Sequence, residues 1–182
     1  MRRGFSLLEL LIVMAVVAVL ASLALPGMHS VVRRYQLNAA VSDLVGAIDL
    51  TRSQAIARGR PVMLVPLERM GVDWGEGWVV FVDTNADRRP GPDEEVIASH
   101  GPLEMDLEFS TSFTGSRAPY YIAFNSAGRG CSSTSGQARA RGTLTLFQGS
   151  EVRRIRINML GRVRVCDPSR GWLSCPAPGK DG

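Results

Sequence analysis

The sequence predicts an α+β protein: a long N-terminal α-helix, hydrophobic at first and then amphipathic, packed on an antiparallel β-sheet head. Three stretches carry that prediction. From Leu10 to Leu25 only Ser22 is polar; from Leu37 to Ile56 apolar residues return at helical spacing; beyond Pro61, short β-prone runs are separated by turn residues. The 19 glycines and 10 prolines suit a loop-rich β domain better than further helices. The expected organisation is a leader at residues 1–4, a transmembrane and assembly helix at 5–27, an amphipathic helix entering the head at 28–59, and a β-rich head at 60–182.

The apolar helix comes first. Phe5 to Leu25, at a helical rise of about 1.5 Å per residue, would cover about 30 Å, one hydrocarbon thickness. Arg2 and Arg3 precede the run and the next basic residue is Arg33, so the charge bias keeps the leader cytoplasmic and sends the remainder outward. Glu9 is the anomaly, because an acid in an apolar span costs about 2.5–3.5 kcal/mol on insertion scales and asks for a cationic partner. If a peptidase cuts after Gly4, the new α-amino group of Phe5 lies one helical turn from Glu9 and can neutralise the same acid on a neighbouring subunit. An ordinary secretory signal peptide and a plain anchor helix are the alternatives, and Glu9 at the head of the apolar region argues against the first.

Gly4-Phe5-Ser6-Leu7-Leu8-Glu9, followed by the apolar run, resembles the prepilin leader of type IV pilins and type II secretion pseudopilins. The resemblance implies cleavage after Gly4 by a prepilin peptidase, N-methylation of Phe5, and assembly with other pilins through Glu9. It also implies a single-pass inner-membrane subunit with a periplasmic head that later enters a pilus or pseudopilus filament. Pro26 and Gly27 match the family's habit of a proline that loosens the helix at about that depth.

The amphipathic part follows. Leu37, Val41, Leu44, Val45, Ile48, Ala55 and Ile56 recur at helical spacing, with Arg33, Arg34, Asp43, Asp49, Arg52 and Arg58 between them. Gly59 suits the C-cap, and Pro61 cannot extend the helix. Eight β-prone runs come next: Val62–Val65, Trp78–Val82, Glu95–Ser99, Leu107–Phe109, Tyr120–Phe124, Thr143–Phe147, Val152–Ile157 and Arg162–Val165. Trp74, Trp78, Tyr120, Tyr121 and Phe124 are expected to fill the core. The segments from Gly77 to Asn85, from Phe124 to Arg129 and from Asn158 to Arg162 resemble the GspH/FimT branch of the pilin superfamily. That resemblance implies a type IV pilin-like fold with a two-sheet β head on the long helix.

Three cysteines, Cys131, Cys166 and Cys175, fall in the part expected outside the cytoplasm, where disulfides persist. A Cys166–Cys175 bond would close a short loop near the C-terminus and leave Cys131 unpaired; the two other single pairings stay open.

The formal net charge of +4 arises from 21 basic against 17 acidic residues, and Lys180 is the sole lysine. Arginines crowd the stretch from Arg129 to Arg170. Period two places Arg154 and Arg156 on one strand face, and Arg162 and Arg164 alternate likewise, so a hairpin turning at Asn158–Gly161 would set four guanidiniums side by side. Such crowding asks for a polyanion, since arginine pairs bidentately with phosphate. Gly161-Arg162-Val163-Arg164 resembles the C-terminal Gly-Arg-x-Arg element of FimT-type pilins that bind DNA during uptake. The resemblance implies contacts at Arg162 and Arg164, with Arg154, Arg156, Arg139 and Arg141 extending the patch. A solvated arginine face and a pilin–pilin contact are the alternatives.

Asp83, Asn85, Asp87 and Glu94 occupy positions one, three, five and twelve of a calcium-loop pattern, but Arg88 stands where that loop needs glycine. The segment reads as an Asx-rich turn, and no cofactor is expected. Neither His29 nor His100 stands among spaced carboxylates, and no base accompanies Cys131, so an enzyme is not predicted. The expected function is a minor pilin that binds DNA non-specifically during natural transformation. The alternative is a structural pseudopilin of type II secretion, or a pilus-priming subunit without DNA binding.

Overall fold

The computed structural model describes residues 6–103, 107–113, 117–134, 136–137, 140–171 and 175, and within them no side chain at 21–27 or 29. Gly4, Phe5 and Arg139, together with the His29 side chain, lie outside the described residues.

Ser6 opens the helix: its Oγ accepts the backbone N–H of Glu9 at 3.2 Å, satisfying one of the donors a helix start leaves over. Helix α1 then runs Leu7–Arg58. It continues unbroken past Pro26, since the one bond a proline removes does not end a helix of 52 residues. Gly59 closes it at φ +66°, donating its N–H to the carbonyl of Ile56 at 3.3 Å.

Two compact units share this helix, one ending at Gln36 and one beginning at Leu37. In the first unit the large apolar side chains between Leu7 and Leu20 are 52–79% exposed, on every side of the helix. Among the described residues, no helix is long and apolar enough to cross a membrane.

In the second unit Leu37, Ala40, Val41, Leu44, Ile48 and Ala55 are buried at i, i+3 and i+4 steps, as the amphipathic pattern requires. Thr51 shares that stripe because its hydroxyl donates to the carbonyl of Ala47 at 2.7 Å. Ile56 departs from the expected apolar face and is 50% exposed.

All eight β runs read from the sequence form strands: β1 Val62–Pro66, β2 Trp78–Phe81, β3 Val96–His100, β4 Glu108–Phe113, β5 Ile122–Phe124, β6 Gly142–Gln148, β7 Glu151–Ile157 and β8 Val163–Cys166. They build two antiparallel four-stranded sheets, ordered β3-β2-β1-β5 and β4-β6-β7-β8. Val62, Leu64, Val80, Ile122 and Phe124 of the first sheet and Leu144, Leu146, Ile155 and Ile157 of the second join the helix stripe in one core. The other face of the first sheet is apolar too. Met63, Val65, Val79, Phe81 and Ala123 form a second cluster with Cys131, so β1 is buried on both sides, as its unbroken apolar sequence suggests. Trp74, Trp78 and Phe124 fill the core as expected, whereas Tyr120 and Tyr121 are only half-buried: the Tyr121 hydroxyl sits at the surface of the sheet, accepting the N–H of Ser133 at 3.2 Å.

Candidate functional site

The β7–β8 hairpin is built on Asn158. Its Oδ1 accepts the N–H of Leu160 at 3.0 Å and of Arg162 at 2.9 Å, and its backbone N–H donates to the Arg162 carbonyl at 3.1 Å. Gly161 completes the turn at φ +76°. A Cβ there would stand 2.2 Å from the Gly128 carbonyl oxygen and 3.3 Å from Nε of Arg52, so the loop presses closely on the helix side of the head.

That turn sets the register. Arg156 pairs with Arg164 and Arg154 with Cys166 across the hairpin. Arg156, Arg162 and Arg164, joined by Arg141, line an open groove of about 500 Å³ with Met159 and Leu160. Arg141 arrives because Gly142, its neighbour, pairs with Ile157 at the end of β7. No carboxylate lines the groove among the described residues.

Arg154 corrects the expectation of four guanidiniums side by side. Cys166 and Cys175 are joined by a disulfide, S–S 2.03 Å, which folds the chain back over the register partner of Cys166. The Arg154 Nη1 therefore donates to the Cys175 carbonyl at 3.1 Å, and this side chain does not line the groove. The other strand face holds Arg153, which is 7% exposed. Its Nε donates to Oδ1 of Asn38 on α1 at 3.2 Å, and its Nη1 lies 3.1 Å from Asp167 and 3.5 Å from Glu151. The Ser169 hydroxyl above all, with the Ser169 N–H, Arg153 and Arg170, holds the Asp167 carboxyl below the usual carboxylate range. Asp167 thus answers Arg153 rather than the groove.

In the acidic turn, Asp83, Asp87 and Glu94 bring carboxylate oxygens within 4.8 Å of one another. The Asn85 Oδ1 accepts the N–H of Asp87 at 2.9 Å, and its amide NH2 donates to Oδ2 of Asp87 at 3.0 Å. Asp83 accepts the N–H groups of Ala86 and Arg88, and Glu94 those of Thr84 and Gly91. Burial nevertheless pushes the Asp83 carboxyl up; for Glu94, burial is outweighed by the hydrogen bonds, and its carboxyl lies below the usual range. Arg88 takes the left-handed conformation a glycine would have supplied, φ +63°, with its guanidinium 4.6 Å from the Tyr121 ring centroid and its Nε on the Ser133 hydroxyl. The geometry is that of an Asx-rich turn held by protein donors.

His100 and Cys131 do not line the groove. The His100 ring stacks on Trp78 at 4.3 Å, and its Nε2 lies 3.9 Å from Asp43. Cys131 is fully buried, and burial pushes its thiol up to about 11, which keeps it protonated at neutral pH.

Residues 40–161 match the family described as type II transport protein GspH. The chain belongs to the GspH family. Residues 1–25 of this GspH-family chain also match the prokaryotic N-terminal methylation motif. The pilin-like protein PilA1 of Thermus thermophilus is 38% identical over 99 residues, 54% of this chain and 60% of that protein. A fimbrial protein of Pseudomonas aeruginosa is 36% identical over 62 residues, 34% of this chain and 40% of its own length. The chain therefore spans less than two thirds of the length of these curated relatives. Among solved structures, the type IV minor pilin FimU of P. aeruginosa superposes with a TM-score of 0.58 at 18% identity, covering 78% of this chain and 96% of FimU. The minor pseudopilin EpsH of the Vibrio cholerae type 2 secretion system gives 0.50 at 15% identity, covering 73% and 98%. The fold is the pilin fold, and the chain is a type IV pilin-like protein of the GspH family.

Proposed function

We propose that the chain is a minor pilin whose head binds DNA without regard to sequence, through Arg162 and Arg164 with Arg156 and Arg141 beside them. One observation carries the reading: Arg156, Arg162 and Arg164 of a hairpin held by Asn158 and Gly161, with Arg141 beside them, line a groove in which no carboxylate stands among the described residues. Guanidinium pairs phosphate, and each neutralised phosphate releases counterions, so binding falls steeply with salt. Arg154, committed to the Cys175 carbonyl, supports the hairpin more than it meets the ligand.

The N-terminal part of the proposal follows the methylation motif. The leader is cut after Gly4, Phe5 is methylated, and the helix resides in the inner membrane until Glu9 meets the α-amino group of a neighbouring subunit. Support comes from the motif match and from the apolar side chains exposed all round the helix, which suit lipid or other helices as neighbours. Bound DNA would then be drawn inward with the filament during natural transformation. The family's description as a type II transport protein favours a second reading, a pseudopilin of a secretion machine.

The test measures DNA binding by the full chain in non-ionic detergent across a salt series. Replacing Arg162→Ala and Arg164→Ala together is expected to lower the slope of log affinity against log salt by about 2. Unchanged binding in that double variant overturns the DNA reading. Deleting the gene and scoring DNA uptake and protein secretion separately distinguishes the two machines: lost uptake with intact secretion supports the pilus reading, and the converse supports the pseudopilin.

A further inference from the structure

The turn that carries the groove holds two side chains the turn itself does not need. Asn158 and Gly161 supply its hydrogen bonds and its left-handed backbone, so positions 159 and 160 are free to be polar. They are Met159 and Leu160, 46% and 62% exposed. Singly exposed apolar residues are common on protein surfaces. This pair differs by its place, an aliphatic tip set within a groove otherwise walled mainly by Arg141, Arg156, Arg162 and Arg164.

Resting on the DNA reading above, we infer that Met159 and Leu160 form a wedge that enters the minor groove of duplex DNA while the flanking arginines hold the phosphates on either side. Minor-groove proteins combine these two elements: guanidiniums on the backbone and an aliphatic side chain pressed into a base step, unstacking and bending the duplex. A single-strand site would instead offer aromatic rings as stacking platforms, and none lines this groove among the described residues. The side-chain oxygen of Asn158 is engaged within the turn by the N–H groups of Leu160 and Arg162. Preference among duplexes therefore follows deformability, with flexible pyrimidine–purine steps favoured over stiff A-tracts.

The test uses the full chain in non-ionic detergent and short duplexes labelled at both ends for energy transfer, one with central TA steps and one with an A-tract. The wild-type chain is expected to raise energy transfer on binding and to favour the TA duplex. Met159→Ser/Leu160→Ser is expected to bind about tenfold more weakly and lose the bend, while its salt slope stays as in the wild type. Leu160→Met should keep both affinity and bend. The wedge is overturned if the serine variant retains affinity and bend, or if a single strand of equal length binds as tightly as the duplex. It is likewise overturned if the serine substitutions abolish binding to anionic phosphatidylglycerol vesicles and spare DNA, which would assign the tip to lipid. In each of these outcomes a reduced salt slope in Arg162→Ala/Arg164→Ala still upholds the phosphate reading, so the two claims fail separately.

Discussion

At the scale of single residues, the basic face depends on groups that are not basic. Gly161 adopts φ +76° beneath the Gly128 carbonyl, where any side chain clashes. Gly161→Ala should destabilise the head by about 1–3 kcal/mol, read as a lowered denaturation midpoint, and should displace the neighbouring Arg162. Asp167 shows the complementary case. Its folded-state carboxyl lies below its ordinary value, so it contributes stability above the unfolded pKa of about 4 and loses it as pH falls through the lower folded value. Asp167→Asn should therefore unfold more easily than the wild type at neutral pH, and thermal melts of the two should converge in acid; a constant gap across the pH range would rule out the linkage.

At the scale of elements, the kinds and approximate places of the strands were legible, because alternation and turn residues are local properties. β4 was foreseen only as Leu107–Phe109, yet pairing with β6 extends it to Phe113, since Ser110, Thr111 and Ser112 carry no apolar signal of their own. The C-terminal loop was legible as well, though two other cysteine pairings were open until the tertiary structure joined Cys166 to Cys175 and buried Cys131 apart from them. Replacing both by serine should cost up to about 2–3 kcal/mol in denaturant unfolding and release Arg154 from the Cys175 carbonyl. An unchanged midpoint would mean that β8 is held by its ladder with β7 alone.

At the scale of the whole molecule, the large apolar side chains described between Leu7 and Leu20 in the first unit are exposed, while the second unit buries its own core. The full chain should accordingly need detergent or other subunits to stay in solution. In cells, Glu9→Ala should sharply reduce its recovery in sheared filaments; undiminished recovery would refute the pairing proposed for that acid. From the sequence alone came the element types, the class of fold, the N-terminal methylation motif and a crowd of arginines, all written in local order along the chain. Only the tertiary structure decided which arginines stand together. Register put Arg156 opposite Arg164, the β6 pairing delivered Arg141, Asn38 and Asp167 engaged Arg153 on the other face, and the disulfide set the Cys175 carbonyl against Arg154. The reason is physical: side-chain direction follows from local backbone period, but neighbours across a sheet follow from which distant strands share hydrogen bonds.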